Sequence, residues 1–497
     1  MSNIEEITTL RERNQHLEQE LKHKSWVIEK LKHQLYGPQS EKVIQNEAEQ
    51  FIFNEIEKEA ATIEPEQTEL IEGYERKKGR GRKKPFPESL EREEVVIDIP
   101  ESEKLCPHDG SALKEIGFEI TEKLKCYPAR SVVLVEKKKK YACTDCKEHM
   151  AQAPSNSILP KTIATPELLS FIIFSKFFQG LPLYRLEELF KLQGIELSRS
   201  TMASWLISLS EKLMPIFNIL EEWALQSGYM AIDATNVQVL KEDGRAAESK
   251  SFMWARGSPE KGIILFDYDV SGGGAVAKNL MLGFSGALQA DAHRGYAAME
   301  KERILLLGCM MHARRRFHKA WLEAKKQPGL ADNALKMFKK LYKFEDAYKL
   351  QGLISEERHE ARLNEVGPYL EKIKLWCEEK KDKVLKTSTL GNAIHYFINE
   401  YTELIAFLKD GRYEIDNGWV ERAIRKFAIG RNNWLFCDTV AGANASSVYY
   451  SLVITAKLNG KDPYKALTEI IQQLPFAKTI DDYEKLARLL LAERVSQ

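Results

Sequence analysis

The chain has 497 residues, 43% of them hydrophobic and 29% charged, and its 73 basic side chains balance 73 acidic ones. That make-up belongs to an ordinary soluble protein of roughly two to four domains. No apolar run approaches the roughly 18 residues that cross a bilayer, and no apolar leader follows Met1. Seven scattered cysteines with one CxxC do not make a disulfide framework, so a cytoplasmic protein without a membrane partner is expected.

Ile7, Leu10, Leu17, Leu21, Ile28, Leu31 and Leu35 lie on the a/d seam of a heptad repeat, with Asn14 and Lys24 in the remaining seam positions. A helix over 4–36 is expected. It reads as a coiled coil joining copies of the chain, since Asn at an a position favours a paired register, or as an amphipathic helix packed on its own chain. Gly37-Pro38 ends it. Residues 37–90 read as a linker, first acidic and then basic. Nine glutamates lie between Glu47 and Glu72, and seven of the nine residues from Arg76 to Lys84 are basic. Arg80 and Arg82 alternate with Gly79 and Gly81, which suits a DNA backbone or minor groove; the alternative is a solvated basic linker. Net neutrality does not exclude DNA, because local basic surface is what neutralises phosphates.

Residues 91–160 hold Cys106-Pro107-His108-Asp109 and Cys143-Thr144-Asp145-Cys146, two knuckles roughly 35 residues apart, as in a small zinc unit. The first knuckle lacks its second cysteine. Either one Zn²⁺ is held by Cys106, Cys143 and Cys146 with Asp109 or His108, or the site is lost and its fold persists. Over 161–222 the pattern turns helical, and the turn at Gly194 with a cap at Ser198 gives helix, turn, helix. This is either a helix-turn-helix with Arg199 toward DNA or a plain helical bundle.

The segment 223–440 carries the chemistry. "YMAIDATNVQVL", "SFMWARG" and "GIILFDYDV" read as three antiparallel strands, followed by a short helix over Ala275–Leu282 and the strand "ALQADA". That order begins an RNase H-like fold, in which the first and fourth strands end side by side. Asp233 and Asp291 each end an apolar run, and Glu421 lies in a first helical turn. Between them, about 320–410 reads as an inserted helical subdomain, because so long a stretch does not form a loop. Residues 441–497 read as a C-terminal helical region. Acids at two strand ends and on one helix can converge on two divalent cations, the arrangement that clamps both oxygens of an in-line displacement at phosphorus. The pair Cys309-x-x-His312 lacks a second pair and reads as packing. Arg314, Arg315 and Arg316 read as phosphate contacts, as do Arg422, Arg425 and Arg431 along the Glu421 helix, against the alternative of a solvated face. His293 and Arg294 stand two and three residues after Asp291 and are expected to reach toward the same phosphate. Asn432, Asn433 and Trp434 bracket a displaced base or join the core. No phosphate-binding loop for ATP is present.

The strings "AIDATNVQVL", "LQADAHRGY", "CMMHARRRFH", "DNGWVERAIRKFAIGRNNWLF" and "YYSLVITAKLNGKDPYKAL" occur in this order. They resemble the DDE transposases of the insertion sequence 66 family over nearly the whole chain, most specifically in the block Asn417–Trp434. The resemblance implies a multidomain α+β protein. Its parts are an N-terminal coiled coil, a zinc-finger-like DNA-binding domain, a helix-turn-helix-like region and an RNase H-like catalytic domain with a helical insertion. It implies Asp233, Asp291 and Glu421 as catalytic residues on two Mg²⁺ or Mn²⁺. It also implies double-stranded DNA at element ends and target as substrate, homo-oligomerisation, a place in the nucleoid and possible accessory proteins of the same element. Two other functions stay open: a non-catalytic DNA-binding regulator on an inert scaffold, and a nuclease that cuts without joining.

Overall fold

The computed structural model describes residues 162–291 and 303–492, together with short strands at 68–71, 74–77, 140–142 and 150–152 and a few isolated positions between 131 and 159. The heptad helix, Arg80, Arg82, Cys106, Cys143, Cys146, His293 and Arg294 lie outside the described residues. Cα packing divides the chain into residues 38–137 and the remainder. In the smaller unit, β1 (Thr68–Ile71) pairs antiparallel with β2 (Tyr74–Lys77). The stretch expected as plain linker therefore contains a hairpin. Thr68, Leu70, Ile71 and Tyr74 favour strand, and they offset the glutamates between them.

In the larger unit, β3 (Lys140–Ala142) pairs antiparallel with β4 (Met150–Gln152). Three helices precede the main sheet: α1 (Pro166–Ile173), α2 (Leu183–Leu192) and α3 (Arg199–Leu225). Ser198 caps α3 by accepting from the Thr201 N–H at 3.2 Å. Gly194 makes the preceding turn at φ +75°, a conformation that glycine adopts without strain. Although α2 and α3 follow the helix-turn-helix order, α3 is 27 residues long and buries Met202, Leu206, Leu209, Leu213, Ile216 and Leu220 along its length. It is a core helix from end to end, with Arg199 exposed at its start.

The sheet is mixed. β5 (Tyr229–Lys241), β6 (Lys250–Ser258) and β7 (Ile263–Asp269) form an antiparallel meander, with Asp233 opposite Ala255. After α4 (Gly274–Leu280), β8 (Gly286–Gln289) joins the other side of β5 in parallel, and β9 (Ile304–Leu307) lies parallel beyond it. The order is β7-β6-β5-β8-β9. The strand β9 was not expected from the sequence, where "ILLL" is too short to separate from a buried helical turn.

The second half of the chain is mostly helical. α5 (Met310–Glu323), α6 (Leu330–Gln351), α7 (Ser355–Ala361), α8 (Gly367–Lys381), α9 (Thr389–Asn399) and α10 (Tyr401–Leu404) form the expected insertion. Its own core includes Phe317, Phe338, Leu370 and Phe397, and it also reaches Tyr229 and Ala287 on the sheet. The buried Arg362 holds it together, pairing with Glu345 at 2.7 Å and donating to the Tyr413 carbonyl at 2.8 Å. The chain then returns through α11 (Gly418–Trp434), β10 (Cys437–Thr439, parallel to the far end of β5), α12 (Val440–Leu458), α13 (Pro463–Gln473) and α14 (Ile480–Arg488).

α12 covers the outer edge of the sheet. Ser451 accepts from the Phe266 N–H at 2.7 Å, and Thr455 accepts from the Ile264 N–H at 3.1 Å. Those hydroxyls satisfy edge groups of β7 that would otherwise be open to another strand. This explains two of the buried polar residues of that helix. One core runs through α1, α3, the sheet, α12 and α13. Among the described residues, no helix is long and apolar enough to cross a membrane.

Candidate functional site

Asp233 is the fifth residue of a 13-residue strand, so the expected strand end is a mid-strand position. The four apolar residues before it are buried, and the next three residues are not, which is the change that reads in the sequence as an ending. What does end here is the neighbouring strand: β8 pairs β5 only as far as Ala231 opposite Gln289. Asp291 follows two residues later, beside the flank of β5 left open.

α11 brings the third acid to this flank. Asn417, buried just before the helix, donates its side-chain amide to the Ile232 carbonyl at 2.9 Å. Its backbone N–H donates to Cys309 Sγ at 3.3 Å. At the far end of α11, Arg431 donates to Thr235 Oγ1 at 3.2 Å and to the Asn236 carbonyl. The helix is thus tied to β5 at both ends, with Glu421 in its first turn. Gly430 permits close packing on α12, where a Cβ would meet the Tyr450 hydroxyl.

α5 supplies a second set of groups. His312, Arg315 and Arg316 share one helix face by their three- and four-residue spacing. His312 Nδ1 is 3.7 Å from Asp291 Oδ1 and 3.8 Å from Glu421 Oε1. Both spacings exceed a hydrogen bond, and these buried atoms, His312 Nδ1 and Glu421 Oε1, have no hydrogen-bond partner. Arg315 Nη2 is 3.1 Å from Glu421 Oε2. From the insertion, the Tyr396 hydroxyl donates to Asp291 Oδ1 at 3.3 Å, and the Arg316 guanidinium lies 4.0 Å from the centre of the Tyr396 ring.

These groups act on one another's protons. Burial first, then the charges of Glu421 and Asp291, push the Asp233 carboxyl up to about 7, against the Ala234 N–H and Arg315, which pull it down. Burial, together with Arg315 and Arg316, holds His312 below its ordinary value despite the two acids beside it. Burial also pushes the Cys309 thiol far up, with Asp416 and Glu421 adding to it, so Cys309 is a neutral thiol that accepts from Asn417. Mutually repelling carboxylates beside an imidazole Nδ1 without a partner form a donor set that a divalent cation relieves. The residues present fit such an ion.

A family model described as Transposase IS66 family matches residues 161–445, more than half of the chain. The chain belongs to that family. Its IS66 membership extends to the N-terminal part. Residues 27–95 match a model described as Transposase C of IS166 homeodomain, and residues 103–147 match the zinc-finger binding domain of transposase IS66. The first match covers Arg80 and Arg82, and the second covers Cys106, Cys143 and Cys146. Two uncharacterized proteins of Sinorhizobium fredii (strain NBRC 101917 / NGR234) are similar. The protein y4hP is 29% identical over 478 residues, covering 90% of this chain and 85% of its own. The protein y4qI is 30% identical over 471 residues with the same two coverages, 90% and 85%. Membership of the IS66 family carries insertion-sequence transposition, and hence DNA, as the coarse function.

Within the IS66 match, Asp233, Asp291, Glu421 and Arg315 come together. Of the other expected DNA contacts, Arg199, Arg314 and Arg422 are exposed and Arg425 is half-buried. Arg431 spends its guanidinium on β5 and Arg315 on Glu421. Trp434 packs edge-on against Phe427 at 5.6 Å between ring centres, and Asn433 donates to the Gly180 carbonyl at 2.9 Å. Both therefore serve packing. From the sequence His312 read as packing with Cys309, and Tyr396 was passed over. For His312 the signal was present: once α5 begins at Met310, His312 and Arg315 fall on one face.

Proposed function

We propose that this IS66-family chain is a DDE transposase, in which an RNase H-like sheet carries Asp233, Asp291 and Glu421 as ligands for two Mg²⁺ or Mn²⁺ ions. The observation that carries this reading is the convergence of three carboxylates from separate parts of the chain, with Asp233 raised by burial first and then by the charges of the other two. A three-strand antiparallel meander followed by two parallel strands, in the order β7-β6-β5-β8-β9, supports the RNase H-like assignment.

When bound, the cations supply charge for the phosphoryl oxygens and lower the pKa of a bound water. The chain's own residues do the rest. Asp233 and Asp291 hold ligand oxygens at the mouth of the gap between β5 and β8. Glu421 closes the third side and is oriented by Arg315. Arg314 and Arg422, both exposed, lie on the two helices that carry His312 and Glu421 and bind the DNA backbone. Water attacks an element-end phosphodiester, and the released 3′-hydroxyl then attacks a target phosphodiester. Each step breaks one P–O bond and forms another in line, so a single site serves both.

The test is incubation of the protein with Mg²⁺ and labelled element-end DNA, with and without target plasmid. Joined product that needs target DNA supports a transposase. Cleavage without joining identifies a nuclease, and binding without cleavage identifies a regulator.

A further inference from the structure

The acids are not the whole donor set. We infer that His312 is a nitrogen ligand of the same cation site, shared with Asp291 and Glu421. This rests on the metal-dependent reading proposed above.

The geometry supports a ligand over a hydrogen-bonded spacer. Two donors held about 2.1 Å from one ion at 90–120° stand about 3.0–3.6 Å apart. His312 Nδ1 lies 3.7 Å from Asp291 Oδ1 and 3.8 Å from Glu421 Oε1, a few tenths of an ångström beyond that range for each pair. His312 Nδ1 and Glu421 Oε1 are both buried and both lack a hydrogen-bond partner. A buried polar atom without a partner costs free energy, and coordination removes that cost for both atoms at once. Cys309 also has its donor within 4.8 Å of those of His312 and Glu421, but it is a buried neutral thiol that accepts from the Asn417 N–H, and its soft sulfur suits Mg²⁺ and Mn²⁺ less than nitrogen or oxygen does.

An imidazole nitrogen among carboxylates has a chemical consequence. Nitrogen donors favour first-row transition ions, Mn²⁺ least among them, over Mg²⁺ and Ca²⁺, which prefer oxygen. His312 therefore tilts the site toward Mn²⁺ while leaving it open to Mg²⁺.

The test uses the full-length protein loaded with Mn²⁺ and read by pulsed electron paramagnetic resonance, with calorimetry for affinity. Bound Mn²⁺ should show coupling to an imidazole ¹⁴N. His312→Gln should abolish that coupling and weaken Mn²⁺ binding by at least about tenfold, the lower end of the loss seen even for outer-shell changes. Ca²⁺ binding should change several-fold less, and an unchanged melting temperature shows that the variant is folded. Mn²⁺ bound without ¹⁴N coupling, or coupling that survives His312→Gln, overturns the inference while leaving the carboxylate site intact. Asp233→Asn separates the two readings. If it leaves Mn²⁺ binding unchanged, the metal-dependent reading itself fails, whatever the nitrogen signal.

Discussion

Asn417 donates its side-chain amide to the Ile232 carbonyl at 2.9 Å, and this bond seats the helix carrying Glu421 against the strand residue that precedes Asp233. The bond is buried and joins parts of the chain 185 residues apart. It sets the distance between two of the three acids without touching either.

Replacing Asn417 with Ala should therefore loosen the site as well as the fold. Leaving the buried Ile232 carbonyl without its donor costs about 1–3 kcal/mol, which calorimetry reads as a lower melting temperature. Mg²⁺-dependent cleavage of element-end DNA should fall further than the stability loss explains, while DNA binding holds. A variant that melts early yet cleaves at the wild-type rate would show that the bond serves stability alone.

The acids themselves should behave as a unit. Asp233→Asn, Asp291→Asn and Glu421→Gln each keep the side chain's shape and remove a ligand charge. Each should lower cleavage about a thousandfold or more, since several kcal/mol of metal-centred stabilisation is lost at about 1.4 kcal/mol per tenfold. Filter binding should show DNA affinity near wild type. Full Mg²⁺-dependent cleavage by any one variant removes that residue from the site.

The three acids were legible because each stands at a change of pattern: an apolar run that stops, or a helix that starts. The meander and the insertion were legible for similar reasons, through strand-length apolar runs and helical periodicity. The exact place of Asp233 was not, because a strand continuing past the edge of its shorter neighbour looks in sequence like a strand that ends. The strand β9 is only four residues, and its place is fixed by pairing with β8 rather than by its own pattern. Tyr396 was hidden because its role depends on a contact between the insertion and the sheet, and no local spacing records that; His312 shares a helix face with Arg315, but only the fold sets that face against the acids. Ser451 and Thr455 look like flaws in a buried helix until the open edge of β7 is set against them.

The raised Asp233 carboxyl makes a pH prediction for the cation-free protein. Its ordinary value is 3.8, and in the fold it stands at about 7. Between these values the folded chain keeps a proton that the unfolded chain has released, so this group's contribution to stability declines as pH rises through that window. Asp233→Asn removes the decline. The variant's melting temperature should match wild type near about pH 4 and exceed it increasingly toward about pH 8, by scanning calorimetry without divalent ions. Saturating Mg²⁺ should close the gap at the higher pH, because the ion stabilises the ionised wild-type site. A constant offset between the two proteins at every pH would mean that Asp233 titrates normally.

The basic segment at Arg80 and Arg82 lies in the part of the chain that matches the homeodomain-type model. If both side chains hold phosphates or the minor groove, Arg80→Ala with Arg82→Ala should weaken binding to any duplex. Each lost phosphate contact removes about 0.9 from the slope of log affinity against log salt, so the double variant should lose about 1.8. Fluorescence anisotropy across a salt series, with element-end and unrelated DNA side by side, reads both numbers. An unchanged slope would make this segment a solvated linker. A loss confined to element ends, with unrelated DNA bound as before, would instead assign Arg80 and Arg82 to reading sequence, because backbone neutralisation alone weakens all duplexes alike.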